Sequence, residues 1–491
     1  MTSVIEAALY EAQAVRRIDA AAIAGGIPGQ VLMQRAAEAA WQALRQRWPE
    51  ARRVGVLCGP GHNGGDGYAL AEIARRAGHP VRLFQWGATP TSSTARPFVR
   101  AWQAGGGDTA PLAAALDQDM DIWVDGLLGI GLDRAVSDDL QSIIKAFNAQ
   151  GRPLLALDVP SGLNATTGQV MGAAFEAQLT VSFIAHKIGL WTGAGPHFAG
   201  ERQLARLAVP EAAFEGEVPA AQLIPEIGGA DLPRRFAHAH KGHHGHVLVI
   251  GGNEGAMGAA LMSARAALRS GAGYVSVATR AAHVGHMVGA QPELMVNAAE
   301  SPSALAALIR RASVLAVGPG LGQDEWARWV LDAALAAGLP AVLDADALNA
   351  LAQRPQRLGG TVLTPHPKEA ARLLGIEVGE VEADRPAATR RLQRNFGGTV
   401  VLKGAGTLVA DGSLTLRCCP VGNPGMAVAG MGDVLTGVIA ALMAQGLAPE
   451  RAAALGVRAH AEAGDRAASR VGQRGMIPSD VIGQLPGVLN P

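Results

Sequence analysis

The sequence predicts an α/β protein of two domains, each a parallel sheet wrapped by helices. Three observations lead there. Short β-branched runs alternate with Ala-rich helical runs from residue 54 onward, the rhythm breaks once, and glycines and carboxylates recur just after the predicted strands. In the first half the runs are VGVLCG, PVRLFQW, DIWVDGLLGIG and PLLALDVPSG, with a helix expected near 67–77 behind the first of them. Residues 211–242 lose this periodicity and collect Pro, Gly and charge, as in EGEVPAAQLIPEIGGADLPRR. That puts a boundary near 222 and domains at 1–222 and 223–491. The rhythm then resumes with HVLVIGG, AGYVSVAT, VLAVGPGLG, AVLDADALN, TVLTPH and TVVLKGAGTLV. In an open parallel sheet the loops after the strands meet helix N-termini, where ligands bind, so neither half reads as a spacer.

Composition narrows the function classes. A chain of 491 residues exceeds one ordinary core, and 49% hydrophobic residues suffice for two large ones. Lys+Arg and Asp+Glu are both 42, a formal net charge of zero. This argues against a nucleic-acid partner and favours small polar ligands. Cys58 and the adjacent pair Cys418 and Cys419 make no disulfide framework, which points to a reducing compartment. The opening MTSVIEAALYEAQ lacks the basic segment and apolar run of a leader, and no stretch approaches a membrane span. A cytoplasmic protein without a membrane partner is expected.

In the first half, GPGHNGGDG (59–67) follows a strand and precedes a helix, so its backbone N–H groups would face phosphate at a helix N-terminus. A bare tight turn would not need Asn63 and Asp66 among the glycines. Downstream, DGLLGIGLDR (125–134) and LDVPSG (157–162) each end a strand with a carboxylate. Asn63, Asp125 and Ser161 are hard oxygen ligands with one formal charge among them, which suits a monovalent cation better than a transition metal.

The second half offers VGPGLG (317–322), DAD (344–346), TPHPKE (364–369), KGAGT (403–407) and GNPGMAVAGMGDVLTG (422–437). The last sets a loop without bulky polar side chains against apolar residues at helical spacing, with Asp433 in the first turn. Two readings of Asp433 stand. It is a helix cap, or it is a base beside an anion pocket of converging amides, the arrangement phosphoryl transfer needs. Gly404 and Gly406 also fit a hairpin, and His366 between two prolines also fits a satisfied loop histidine. The five histidines of HAHKGHHGH (238–246) read as solvated linker and strand entry rather than a metal site.

Taken together, the loops of the second half resemble the ribokinase-like superfamily and, within it, the carbohydrate-kinase-like NAD(P)H-hydrate dehydratases. The resemblance rests on KGHHGHVLVIGG, ALRSGAGYVSVAT, VGPGLG, LDADALN, TPHPKEAARLL and GNPGMAVAGMGDVLTG, which run through nearly all of 240–440. The family's pattern has Thr and Gly where this chain has Val428 and Ala429. The resemblance implies a substrate, NADH or NADPH hydrated at position 6 of the nicotinamide ring, and a reaction that phosphorylates the 6-hydroxyl and eliminates phosphate. It implies Asp433 as the base and the amides around Gly430–Gly432 as the phosphoryl cradle. Lys403, Gly404, Ala405, Gly406 and Thr407, with Gly432, would hold the nucleotide. Gly320, His366 and Ala259 would touch the hydrated dinucleotide. Bacterial members use ADP and eukaryotic ones ATP; ADP is expected ahead of ATP as the donor, with Mg2+, releasing AMP and phosphate.

The motifs of the first half, with LMQRAAEAA (32–40) and AHKIGL (185–190), resemble the NAD(P)H-hydrate epimerase domain over about residues 10–215. This implies a Rossmann-like three-layer domain that interconverts the R and S hydrates of NADHX and NADPHX. It puts K+ on Asn63, Asp125 and Ser161. Ligand contacts fall to His62, Asn63, Gly64, Gly65, Asp66, Gly129, Ile130, Gly131, Leu132, Asp133, Arg134, Ala135 and Asp158, with Asp158 also the candidate for proton chemistry. The family has Asn where this chain has His62 and Gly where it has Ala37. A homo-oligomer is expected. The dehydratase acts on the S hydrate and damage yields both epimers, so the two activities complement each other. The rival reading is a kinase of a small molecule such as a vitamin precursor, fused to a non-catalytic Rossmann-like binding module.

Overall fold

VGVLC, five consecutive buried residues, becomes the strand Val54–Cys58 and starts the first of two sheets in a computed structural model of the chain. The structure describes residues 6–232 and 234–491 and divides into two units, Met1–Gln222 and Leu223–Pro491. In the first unit seven strands lie in the order Thr109–Pro111, Val81–Gln85, Val54–Cys58, Ile122–Gly126, Leu154–Leu157, Leu179–Phe183 and Glu201–Ala205. Every neighbouring pair is parallel, with Val54 opposite Ile122 and Cys58 opposite Gly126. Side chains alternate between faces. Val54 and Val56 join a core with Val15, Ile18, Leu32 and Leu44 of the helices Ala12–Ala24 and Gly29–Arg47, whereas Leu57 joins one around Trp123, Phe147 and Phe175. The ring pairs Trp123–Phe147 and Phe147–Phe175 meet edge to face at 5.0 and 5.3 Å, each worth about 0.5–1.5 kcal/mol beyond the area buried. The result is a helix–sheet–helix sandwich.

One boundary differs from the sequence expectation. The helix placed near 67–77 begins at His62 and runs to Arg76, so Asn63, Gly64, Gly65 and Asp66 lie inside it. Close approach accounts for this: a Cβ on Gly64 would stand 1.9 Å from the Gly59 carbonyl oxygen, so only glycine lets the helix start this near the strand end.

In the second unit nine strands run Met295–Ala298, Tyr274–Thr279, His246–Ile250, Val314–Val317, Ala341–Leu343, Thr361–Leu363, Thr399–Leu402, Leu408–Ala410 and Leu416–Cys418. The first seven pair in parallel and the last two antiparallel. Val247 and Val249 face one core, Leu248 and Ile250 the other. The helix Met431–Ala444 is buried along most of its length and enters from Gly430, whose φ of 95° is the left-handed turn that glycine adopts without a Cβ penalty. The histidine-rich stretch forms a short turn, Lys241–His244, with His246 opening a strand. Among the described residues no cluster of three or more His, Cys, Asp or Glu could hold a metal, and no helix is long and apolar enough to cross a membrane. All three cysteines are buried and none is in a disulfide among the described residues.

Candidate functional site

Val54–Cys58 has Val81–Gln85 on one side and Ile122–Gly126 on the other, so the winding of the first sheet reverses there. At such a reversal the outgoing loops diverge and leave a crevice. The loops are GPGHNGGDG and DGLLGIGLDR, and between them opens a cavity of about 710 Å³. It is lined by His62, Asn63, Asp66, Asp158 and the whole segment Gly129, Ile130, Gly131, Leu132, Asp133, Arg134 and Ala135. Gly64 and Gly65 are not among its lining residues; they pack the helix start against Gly59 and against Met33 and Ala95.

The structure brings Asn63, Asp125 and Ser161 together. The Ser161 hydroxyl donates to Asp125 Oδ1 at 2.6 Å and its backbone N–H to Oδ2 at 2.7 Å. Leu128 N–H donates to Ser161 Oγ at 2.7 Å, and the Asn63 amide donates to the Leu128 carbonyl at 3.0 Å, so that Asn63 Oδ1 has no donor among the described residues. Burial lifts the Asp125 carboxyl to about 6 against the pull of those hydrogen bonds. An oxygen-lined pocket holding one carboxylate short of positive charge fits a monovalent cation.

Asp158 follows the strand Leu154–Leu157 at a φ of 67°. Its Oδ1 accepts the Phe183 N–H at 3.0 Å and pairs with the Lys187 ammonium. Burial pushes Lys187 below its ordinary value despite that partner. Burial and then Asp158 lift Asp66 well above the usual carboxylate range, and burial also raises Asp19. Sequence reasoning missed Lys187 and Asp19. Lys187 had a signal, a lone cation inside the apolar run VSFIAHKIGLW (181–191); Asp19, in an Ala-rich helix, had none.

In the second unit the loops after successive parallel strands converge. Asp344 follows Ala341–Leu343, Thr364 follows Thr361–Leu363, and Lys403 follows Thr399–Leu402. Asp344 is 1% exposed. Its Oδ1 accepts from Lys403 Nζ at 2.7 Å and from the Thr364 hydroxyl at 2.9 Å, and its Oδ2 from the Thr436 hydroxyl at 3.0 Å. These partners hold Asp344 below the usual carboxylate range against its burial, while Asp344 and Glu369 hold Lys403 above its ordinary value. Asp433 and Gly432 stand beside this pair: a Cβ on Gly432 would lie 3.0 Å from Lys403 Nζ. Asp433 is half-buried and makes no side-chain hydrogen bond among the described residues; burial and then Asp344 push it up to about 7.

The remaining expected residues fall around this centre. His366 accepts the Lys368 and Glu369 N–H groups at 3.0 and 3.4 Å, while Glu369 Oε2 accepts the His366 N–H at 2.8 Å. It therefore caps the helix Pro367–Leu374 through a reciprocal box. Gly320 approaches Ala259, a Cβ on the glycine lying 3.2 Å from the alanine's. Gly404, Ala405, Gly406 and Thr407 form a turn closed by the Thr407 hydroxyl on the Gly404 carbonyl at 2.9 Å. The buried Arg385 braces it from beneath by donating to the Lys403 carbonyl at 3.1 Å. Asp344, Thr364 and Thr436 lie in the motifs DAD, TPHPKE and GNPGMAVAGMGDVLTG but were given no role of their own, and Arg385 was not singled out from sequence.

Comparison with known proteins reaches both units. The NAD(P)H-hydrate dehydratase family matches residues 247–486, and the family described as YjeF-related protein N-terminus matches residues 29–189. The bifunctional NAD(P)H-hydrate repair enzyme of Coxiella burnetii is 44% identical over 98% of this chain and 99% of its own. That of Escherichia coli is 42% identical over 94% and 89%. Among solved structures, a ribokinase-like superfamily protein of Enterococcus faecalis aligns at a TM-score of 0.51 with 29% identity, covering 55% of this chain and 98% of its own. The second unit thus has a ribokinase-like fold, and the chain belongs to the family of bifunctional NAD(P)H-hydrate repair enzymes.

Proposed function

We propose that the chain repairs hydrated nicotinamide cofactors, with residues 1–222 interconverting the R and S hydrates and residues 223–491 dehydrating the S hydrate of NADHX or NADPHX. The observation that carries the reading is Asp433, a carboxylate with no side-chain hydrogen bond among the described residues, pushed up to about 7 beside a loop of amides and the Asp344–Lys403 pair. Hydroxide leaves poorly and phosphate leaves well, so the hydroxyl is phosphorylated first. Asp433 takes the proton of the 6-hydroxyl, the amides at Gly430–Gly432 hold the transferred charge, and Lys403 adds a fixed positive charge nearby. Gly404–Thr407 and Gly432 hold the nucleotide, and Gly320, His366 and Ala259 the dinucleotide. ADP is the donor, leaving AMP and phosphate. Mg2+ fits as an ion carried by the nucleotide's phosphates, since it takes few protein carboxylates and keeps its waters. In the first unit K+ fits Asn63, Asp125 and Ser161, where it would offset the buried Asp125 charge and fix the loop at Leu128.

The cytoplasm, where cysteines stay reduced, is the proposed compartment. The rival kinase reading accounts for the second site alone, whereas the family match extends over both units. Incubation of the purified chain with S hydrate and ADP tests the reading. Near-ultraviolet absorbance should return with free phosphate and AMP in equal amounts; a stable phosphorylated product without that return would make the second unit a kinase.

A further inference from the structure

One buried cation of the first unit has no role in the account above. Lys187 is 0% exposed, and its three donors go to Asp158 Oδ1, to Ser182 Oγ at 3.2 Å and to the Phe183 carbonyl at 2.7 Å. An ammonium has three N–H bonds, so none remains for a ligand. Whatever Lys187 does, it does through Asp158. That residue's left-handed backbone is uncommon for a side chain with a Cβ and marks a position held by its surroundings. With Oδ1 fixed by Lys187 and Phe183, Oδ2 has no hydrogen-bond partner among the described residues, and the residue lines the cavity.

Asp66 lines the same cavity from another element, the helix His62–Arg76, and makes no side-chain hydrogen bond among the described residues. Burial, Asp158 and Asp19 all favour its protonated form, and only Lys187 opposes them. Asp19, from the helix Ala12–Ala24, faces His62, Asp158 and Lys187. Arg16, Asp133 and Arg134 complete the charged lining. Asp19, Asp66 and Asp158 thus share one fully committed ammonium. A carboxyl held by that ammonium and one without a side-chain hydrogen bond among the described residues are set in different environments, the arrangement that divides acceptor from donor.

We propose that Asp66 and Asp158 are the proton donor and acceptor that invert carbon 6 of the hydrate, and that Lys187 is the positioning residue that keeps Asp158 the acceptor. The proposal rests on the epimerase reading of the first unit. Asp66 gives its proton to the 6-hydroxyl, the C6–O bond breaks with its electron pair, and water leaves as the N1 lone pair forms a C6=N1 double bond. A water then adds to the opposite face of C6 and passes its extra proton to Asp158. One water leaves and one enters, no electrons are gained or lost, and the pair ends with its proton exchanged, ready for the reverse reaction. The intermediate is a cation, and carboxylates at the reacting carbon, Asp158 and the newly ionised Asp66, stabilise it as they could not the anion of ring opening.

The test uses the full chain, R hydrate and 18O-enriched water without nucleotide. The S hydrate formed should carry solvent oxygen at carbon 6; S hydrate formed enzymatically without label would overturn C–O cleavage. Asp66→Asn and Asp158→Asn should each slow epimerisation by about 100-fold or more. Lys187→Met should slow it by about as much as Asp158→Asn does, because Asp158 Oδ1 loses the ammonium that holds it. Ethylammonium should partly restore Lys187→Ala. S-hydrate dehydration, read in the same samples with ADP, should stay at the wild-type rate in all of these. An Asp66→Asn rate within about threefold of wild type would remove Asp66 as donor. A folded Lys187→Ala that ethylammonium does not speed up would leave Lys187 a packing residue. Asp66→Asn removes a carboxyl with no side-chain hydrogen bond among the described residues, so it keeps the test decisive if the lysine variants do not fold. A wild-type chain that does not interconvert the hydrates would instead sink the epimerase reading itself.

Discussion

Each unit sets a largely enclosed lysine against an aspartate at the C-terminal edge of its parallel sheet, with a further carboxyl nearby that makes no side-chain hydrogen bond among the described residues. In the first unit these are Lys187, Asp158 and Asp66; in the second, Lys403, Asp344 and Asp433. The difference lies in hydrogen bonding. Asp344 has both oxygens occupied, by Lys403, Thr364 and Thr436, so it is spent as an acceptor and serves as a fixed negative charge. Asp158 has one oxygen, Oδ2, without a hydrogen-bond partner among the described residues. The two lysines differ in step: Lys403 keeps 18% of its side chain exposed and is held up by Asp344 and Glu369, whereas Lys187 is enclosed and pushed down by burial. Saturation by neighbours, rather than the presence of an acid, decides which carboxylate is available for chemistry.

The comparison breaks first at Asp433. Asp433→Asn should lower dehydration by about 10²–10⁴-fold, the usual range for a lost general base, with epimerisation unchanged. The stability effect has the opposite sign. The folded carboxyl titrates near 7 instead of 3.8, so the folded chain binds this proton more tightly than the unfolded one. The stability it contributes is full below about pH 4 and is lost as pH rises through about 7. The Asn variant should therefore melt at or above wild type at neutral and higher pH, with the gap closing in acid. Dehydration within a few-fold of wild type would return Asp433 to the role of a helix-start residue.

The next effect concerns the pair itself. Lys403→Met leaves Asp344, 1% exposed, as an uncompensated buried charge, a loss of about 3–5 kcal/mol in the second unit. Denaturant unfolding of the isolated residues 223–491 measures it, and a loss under about 1 kcal/mol, the range of a surface pair, would show that Asp344 does not depend on Lys403. In the first unit Asp125→Ala should slow epimerisation by roughly tenfold or more, the scale of losing a group that orients a metal site, and abolish its response to K+ while dehydration continues. Wild-type epimerisation in that variant would remove Asp125 from the site.

Much of this comparison was legible in the sequence, and its limits have physical causes. Asp433 could be read because a glycine loop, a helix start and an acid are neighbours along the chain. The two sheets could be read because strands buried on both faces are continuous apolar runs. The helix at His62 started earlier than expected because propensity counts glycine as a breaker, while the contact of Gly64 with the Gly59 carbonyl is a tertiary fact. The committed state of Asp344 depends on Thr364, Lys403 and Thr436, which lie 20, 59 and 92 residues away. Lys187 and Asp66, likewise far apart in the chain, become one cluster only when the strands are placed side by side. His366 lies between these cases, since the capping pattern of HPKE is local and could have been read as structural from the start.

The smaller effects sharpen the comparison. Dehydration should lose rate below about pH 7 as Asp433 protonates, giving an acid limb there that Asp433→Asn abolishes; a limb near 4 would mean that burial does not govern the base. Residues 223–491 expressed alone should dehydrate S hydrate within a few-fold of the full chain, since the unit has its own cores. A folded fragment without activity would tie the second site to the first unit.

Recovery of a mixed R and S pool tests most directly whether one chain holds two complementary sites. With ADP, the wild-type chain should return the near-ultraviolet absorbance of the entire pool, first the S fraction and then the R fraction at the epimerisation rate. Asp125→Ala should return the S fraction quickly and the rest far more slowly. Recovery by the wild-type chain that stops at the S fraction, or that proceeds at the uncatalysed rate beyond it, would contradict the two-site account.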